Sequence, residues 1–430
     1  MARHPLQVAL PNLDVGPSAS DDTCVHDWYR FVLAYPPSLV RDYLEALDLR
    51  PGERVLDPFS GTGTTLVECK KRGVASVGIE ANPLAHFAGE TKLDWSPEPS
   101  GLLRHAERIA HEALEQLPDD SPVESSHLRS LPPDAAKLLL RDSISPLPLH
   151  KTLVLLECFG RLRDERFEAH ERLALAKALP TGIGNLRFGP EVGVGRIKQD
   201  SPAVGLWLDE VRRIASDLEA VRRQPAAPTQ LHLGDARGVT DFVEPKSIDG
   251  VITSPPYPNE KDYTRTMRLE SVLLGFLNSK RDLRAVKQGL LRSNTRNVYR
   301  DDGDDEWVRT HAGVQGLADQ IEARRLELGK NSGFERMYHR VTKLYFGGMA
   351  RHFADLRAVL KPGARLAYVV GDQASYLRVM IRTGQLLAEI AEGLGYEVMG
   401  IDLFRTRMAT ATREQLREEV VLLRWPGPRG

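Results

Sequence analysis

Cysteine is scarce: three in 430 residues, Cys24, Cys69 and Cys158, with no C-x-x-C pair. Thiols so few and scattered exclude a disulfide framework and a cysteine-based zinc site, and no metal is expected. Nowhere does the chain approach the roughly 18 uninterrupted apolar residues that a membrane span requires. Its opening stretch, "MARHPLQVALPNLDVGPSASDD", has neither a continuous apolar region nor a small-residue cleavage site, so it reads as a loose tail and not a signal peptide. A cytoplasmic protein without a membrane partner is the expectation. Excess charge is missing too. The 58 Lys and Arg nearly cancel the 59 Asp and Glu, so any nucleic-acid surface must be local.

What remains is a chain 41% apolar and 27% charged, the balance of a globular protein with a real core. Its length suits two or three domains, or one large domain with insertions. The segment "ERVLDPFSGTGTTLVECKKRGVASVGIEANPLA" (53–85) reads as strand, glycine turn, helix closed by Gly73, strand. That is a βαβ unit, hence a parallel sheet and an α/β fold. Further strands are predicted at 229–236, 248–254, 364–372, 396–404 and 418–425. No helix separates the last two, which predicts an antiparallel final pair in a seven-stranded sheet. Two mainly helical stretches, about 96–228 and 258–340, interrupt the alternation, the first ending in a Pro-Ala-Ala-Pro linker at 225–228.

The glycine turn "DPFSGTGTT" has the parts of a nucleotide site, since glycines admit a ligand to the backbone and a helix start offers free N–H groups. It is neither common version. A dinucleotide fingerprint needs a third glycine where Leu66 stands, and a phosphate loop needs a Gly-Lys-Ser/Thr that is absent. Glu80, 19 residues after Gly61, ends the second strand, where a carboxylate can accept two ribose hydroxyls; a plain surface Glu is the alternative. Asp235 holds the equivalent place after the third strand, as an adenine-amine acceptor or as a helix N-cap.

The fourth strand runs into Ser254-Pro255-Pro256-Tyr257. Prolines end a strand, but they explain neither the hydroxyl before them nor the ring after. Together, and in this order, "LDPFSGTGTT", "GIEANP", "LGDA" and "TSPPY" resemble the motifs of S-adenosylmethionine-dependent DNA amino-methyltransferases. The likeness is strongest to the N4-cytosine branch, and it covers about 28–95, 229–300 and 335–425. It implies a Rossmann-like class I methyltransferase fold with a mostly parallel seven-stranded sheet, and S-adenosyl-L-methionine as cofactor. Asp57, Phe59, Gly61, Gly63 and Thr64 would line its methionine end, with Pro58, Ala81 and Ala236 alongside, Glu80 on the ribose and Asp235 near the adenine. The stretch "WYRFVLAYPP" (28–37) resembles an extra cofactor motif, making Tyr29 and Tyr35 candidates that could equally be core aromatics.

The resemblance gives the tetrapeptide a chemistry. A cytosine N4 lone pair is delocalised into the ring and is a poor nucleophile. The Ser254 hydroxyl and the Pro255 carbonyl can both accept its N–H protons, while Pro255 and Pro256 stiffen the turn beforehand. Tyr257 can stack on a base flipped out of double-stranded DNA. No covalent nucleophile is required; a C5-cytosine enzyme would need one, typically a Pro-Cys pair, and no cysteine here follows a proline.

For DNA contact the basic stretch 261–300 is the local signal, ten Lys and Arg against three acids. Lys261, Arg265, Arg268, Arg292 and Arg296 are the candidates for phosphates, with a solvated helix face as the alternative. The expected organisation is a tail (1–26), a cofactor part (27–95), a helical insertion suited to target recognition (96–228), a catalytic-motif part (229–260), a basic helical insertion for DNA contact (261–340) and a C-terminal part (341–430). N6-adenine methylation is the runner-up; RNA-base methylation and a non-catalytic DNA-binding subunit are weaker alternatives. Prokaryotic origin, a nucleoid association through DNA and a cognate restriction endonuclease as partner follow only from the resemblance.

Overall fold

The computed structural model describes residues 23–31, 34–117, 128–189, 191–224, 227–408 and 415–428. The expected tail up to residue 22, and residues 225 and 226 of the expected linker, lie outside these. Among the described residues the strands are β1 (Arg54–Asp57), β2 (Ala75–Glu80), β3 (Leu186–Arg187), β4 (Gly193–Val194), β5 (Thr229–Leu233), β6 (Ile248–Thr253), β7 (Leu360–Gly371), β8 (Glu397–Met408) and β9 (Gln415–Arg424). Seven of them form one sheet in the order β5-β2-β1-β6-β7-β9-β8, and β3 pairs with β4 in a small separate hairpin.

The pairs from β5 through β7 are parallel, while β9 runs antiparallel to β7 and to β8. This is the expected mostly parallel sheet with its antiparallel end pair. The central strands are buried on both faces, which is why "RVLD" and "IDGVIT" read as almost continuous apolar runs and not as alternating ones. From β1 the chain steps outward through β2 to β5, then returns to lay β6 on the other side of β1. Strand order therefore reverses between β1 and β6, and such a reversal opens a crevice at the strands' carboxyl ends.

Three helices frame that crevice. α1 (Pro37–Ala46) precedes β1, α2 (Thr64–Lys71) follows the glycine turn, and α3 (Pro83–Leu93) follows β2. Asn82 caps α3, its Oδ1 accepting from the backbone N–H groups of Leu84 and Ala85.

The first helical insertion builds its own apolar centre. Helices Pro99–Glu115, Pro146–Arg161, Glu168–Ala178 and Ala203–Val221 bury Leu102, Ile109, Phe159, Leu173, Ile214 and Leu218 around Trp207. The Trp207 indole N–H donates to the Glu171 carbonyl at 2.9 Å, so the ring's polar edge is satisfied. The second insertion does not stand apart from the first: Met267, Leu269, Leu273 and Leu274 join the same apolar cluster, and Arg172 Nη2 donates to the Leu274 carbonyl at 2.6 Å.

The expected tail boundary at residue 26 also moves. Val25 is fully buried, and its N–H and the Trp28 indole both donate to Asp217 Oδ2 at 2.8 Å. Two apolar side chains have found a core to enter, so the segment from residue 23 packs on the first insertion.

Candidate active site

Asp57, the last residue of β1, is fully buried at the point where strand order reverses. Its Oδ1 accepts from Thr253 Oγ1 at 2.6 Å and from the Phe59 N–H at 3.2 Å, and its Oδ2 accepts from the Tyr35 hydroxyl at 3.1 Å. The Tyr35 hydroxyl also contacts Thr65 Oγ1, which in turn donates to the Ile252 carbonyl at 3.2 Å. Burial pushes the Asp57 carboxyl up to about 6, against the pull of these donors. Tyr35 is thus a cavity residue tied to the end of β1. Tyr29 is not: it is buried away from the cavity, and its hydroxyl donates to Glu270 Oε1 at 2.8 Å.

The glycine turn folds over the crevice because Gly61 and Gly63 take positive φ, +52° and +83°, where a side chain would strain the backbone. Glu80 holds the turn from the end of β2, its Oε2 accepting from the Gly61 N–H at 2.8 Å and its Oε1 from the Asn82 N–H at 2.7 Å. Burial lifts the Glu80 carboxyl to about 7, opposed by those two N–H groups. Beneath the turn lies Lys92, 1% exposed, donating from Nζ to the Thr62 carbonyl at 2.8 Å, with burial lowering its ammonium to about 7.

One cavity, of about 260 Å³, joins these groups to the tetrapeptide. Along it lie Tyr35, Pro58, Phe59, Gly61 and Thr64 on one side, then Glu80, Ala81, Asp235 and Ala236, and then Ser254 to Tyr257. Asp57 and Gly63 support it from behind, Gly63 backing onto Gly89 of α3. Ser254 Oγ donates to the Val369 carbonyl of β7 at 3.0 Å, which commits its proton and leaves the oxygen as an acceptor. The Tyr257 ring lies against Gly371, where an added Cβ would come within 3.0 Å of it, and its N–H donates to the Tyr263 hydroxyl at 3.3 Å.

Asp235 is neither a free acceptor nor a helix cap. Both its oxygens accept from Arg237, through Nε at 3.0 Å and Nη2 at 2.6 Å, and Arg237 continues to Asp304 through Nη1. Nearby, His352 bridges the Ala236 carbonyl and the Tyr368 hydroxyl, each at 2.6 Å, with its ring 5.1 Å from that of Phe59. Burial lowers the imidazole to about 4, so it is neutral and backs the lining residues Phe59 and Ala236 without adding charge.

Not every cation of the expected DNA-contact stretch is available to DNA. Arg292 is 4% exposed: it pairs with Asp302 at 2.9 Å and donates to the carbonyls of Lys287, Gln288 and Leu290. A guanidinium spent inside the fold cannot meet a phosphate. Lys287 is likewise taken by Asp262 at 2.7 Å. Arg268 is tied to Thr264, Arg296 lies over the Phe334 ring, and Arg265 stands 3.9 Å from Glu191. Lys261 lines the cavity.

Two further cations at the cavity escaped sequence reasoning, Arg405 and Arg407 of β8. Both face Glu418 of β9, at 2.6 and 3.6 Å. With Lys261 they set three cations against one carboxylate beside Tyr257. The only signal was the alternation in "FRTR" (404–407), whose arginines share one strand face.

Among the described residues no group of three or more His, Cys, Asp or Glu could hold a metal ion, and no helix is long and apolar enough to cross a membrane.

The N6/N4 family described as DNA methylase matches residues 23–86, the first strand and glycine turn included. Over most of its length the chain is similar to the Type II methyltransferase M.BsoBI of Geobacillus stearothermophilus, 26% identical across 94% of this chain and 85% of that one. It is similar also to the Type II methyltransferase M.AvaI of Nostoc sp., 25% identical across 93% of this chain and 86% of that one. Among solved structures, TrmN from Thermus thermophilus aligns with 94% of this chain and 53% of that chain at 13% identity, with a TM-score of 0.31.

Proposed function

We propose that this chain, a member of the S-adenosylmethionine-dependent DNA amino-methyltransferases, methylates the exocyclic N4 amine of a cytosine flipped out of double-stranded DNA. We take it to be a Type II enzyme, like the Type II methyltransferases it is similar to over most of its length. Its cofactor is S-adenosylmethionine, and the cavity fits that group. The glycine turn brings backbone to the cavity edge, Thr62 Oγ1 is buried there without a partner, and the Glu80 carboxylate keeps lone-pair capacity beyond its backbone bonds. Tyr35, Phe59, Gly61, Thr64 and Glu80 would hold the cofactor, which supplies an electrophilic methyl when bound.

The observation that carries the reading is the Ser254 hydroxyl. It donates to the Val369 carbonyl and also meets the Tyr257 hydroxyl, which leaves it a lone pair for an incoming N–H. Ser254 and the rigid Pro255 carbonyl can then draw charge onto the amine nitrogen and aim its lone pair along the cavity toward the glycine turn. Tyr257, braced by Gly371, offers a ring for the base; such stacking is worth about 1–3 kcal/mol, comparable with the few kcal/mol that flipping costs. No cysteine lines the cavity, in keeping with direct attack. Lys261, Arg405 and Arg407 are assigned to the backbone phosphates around the flipped nucleotide.

Ser254→Ala and Tyr257→Ala test this division of labour. Turnover on duplex DNA should fall at least a hundredfold, while calorimetry finds cofactor affinity within about twofold of wild type. A collapse of cofactor binding in Ser254→Ala would overturn it.

A further inference from the structure

Apart from Thr62 Oγ1 at the glycine turn, most of the cavity's polar lining is matched to partners. Glu80 and Asp235 are engaged as described, and Asp262 accepts from Thr264 and Lys287. Asn259 accepts from the Lys261 N–H and donates to Gln373 Oε1, while Asn294 accepts from the Arg296 N–H and donates to the Lys261 carbonyl. Asn297 differs. It is 2% exposed and lines the cavity; its Nδ2 donates to the Leu291 carbonyl at 3.1 Å, but its Oδ1 has no partner.

A buried amide oxygen left unmatched is costly, so one that borders a ligand cavity points to a donor arriving with the ligand. Its position suits that role. The segment carrying it touches the stretch that follows β5, where Arg237 Nη2 reaches the Gln288 carbonyl at 3.4 Å. It also touches the turn after the tetrapeptide, where the Asn259 N–H donates to the Ser293 carbonyl at 2.9 Å. The segment that runs up to Asn297 thus meets the chain both after β5 and after the tetrapeptide, and Asn297 itself lines the cavity. Asp235, the residue expected to take the adenine amine, is already locked to Arg237.

We propose that Asn297 Oδ1 accepts a hydrogen bond from the exocyclic amine of a base bound in the cavity, and so selects amino over oxo bases there. This rests on the methyltransferase reading above. The amine can belong to the cofactor's adenine or to the target base, and the same measurement separates them.

The test compares wild type with Asn297→Leu, which removes the acceptor, and Asn297→Asp, which keeps it. Calorimetry is run with S-adenosylhomocysteine and with its deaminated counterpart S-inosylhomocysteine; turnover is measured on duplex DNA. If the donor is adenine, wild type prefers the adenosyl compound about tenfold or more, and Leu abolishes that preference while Asp retains most of it. If the donor is the target, cofactor affinity is unchanged, and Leu lowers kcat/KM about tenfold or more with recovery in Asp. The inference is overturned if folded Asn297→Leu matches wild type within twofold in both assays. It is also overturned if Asp fails as badly as Leu, since the residue would then serve only to hold the Leu291 carbonyl. Should Leu not fold, wild type alone decides: indifference both to the cofactor's amine and to replacing target cytosine by uracil in binding refutes it. An active wild type with an indifferent Asn297 removes this inference and leaves the methyltransferase reading intact.

Discussion

Thr253 Oγ1 donates to Asp57 Oδ1 across 2.6 Å, tying the carboxyl ends of β6 and β1 together where strand order reverses. The bond couples the glycine turn to the tetrapeptide, since Phe59 follows Asp57 by two residues and Ser254 follows Thr253. Thr253→Val keeps the shape and removes the donor. A hydrogen bond to a charged group is worth about 1.5–3 kcal/mol, so denaturant unfolding should show a loss of that order, with cofactor affinity and turnover both reduced. Thr253→Ser should recover most of each.

Glu80 predicts a pH dependence. Its carboxyl is lifted to about 7 by burial, so the folded free protein holds a proton that the unfolded chain has already released. That contribution to stability is complete below the unfolded value of about 4.5 and is lost as pH rises through about 7. Cofactor binding runs the other way, because the anion is the better acceptor for ribose hydroxyls. Affinity measured by calorimetry should rise between pH about 6 and 8, and Glu80→Gln should flatten the curve and weaken binding at the upper end.

Arg237 joins Asp235 to Asp304 and is 7% exposed. Removing one partner of a buried ion pair costs up to about 3–5 kcal/mol, here reduced because Arg351 stays 3.3 Å from Asp304 and Asp235 is partly exposed. Arg237→Met should lose stability on that scale in denaturant melts. Adding Asp304→Asn to it should restore part of the loss; if the double variant is worse than the single one, the carboxylates are not the cause.

The two classes of arginine should separate in DNA binding. Arg405→Ala with Arg407→Ala should weaken binding and flatten the salt dependence by about one unit of log-log slope per lost phosphate contact; adding Glu418→Gln removes the carboxylate they leave behind and should keep the same flattened slope. Arg292→Ala should leave that slope alone and lower the melting temperature, as befits a buried partner of Asp302.

The fold was almost fully legible. The glycine turn, the helix Thr64–Lys71 and the seven strands follow from local patterns, because buried parallel strands leave apolar runs with turn residues between them. The cavity motifs were legible for the same reason, being short and contiguous at strand ends. Side-chain partners were not. Nothing in "LGDAR" says that Asp235 will face its neighbour two residues on, nor does "LLRSN" say that Arg292 turns inward to Asp302. The Arg405–Glu418 contact joins two strands across a hairpin, and a charge count along the chain cannot see it. Tyr29 and Tyr35 looked alike, and only packing separated a core ring from one on the cavity.

The central claim is that the amine taken between Ser254 and Pro255 is cytosine N4. Duplex DNA treated with the enzyme and S-adenosylmethionine, digested to nucleosides and weighed by mass spectrometry, answers it directly. The account predicts N4-methylcytosine, absent with Ser254→Ala. N6-methyladenine in its place, or no methylated base from a folded protein that binds its cofactor, would contradict it.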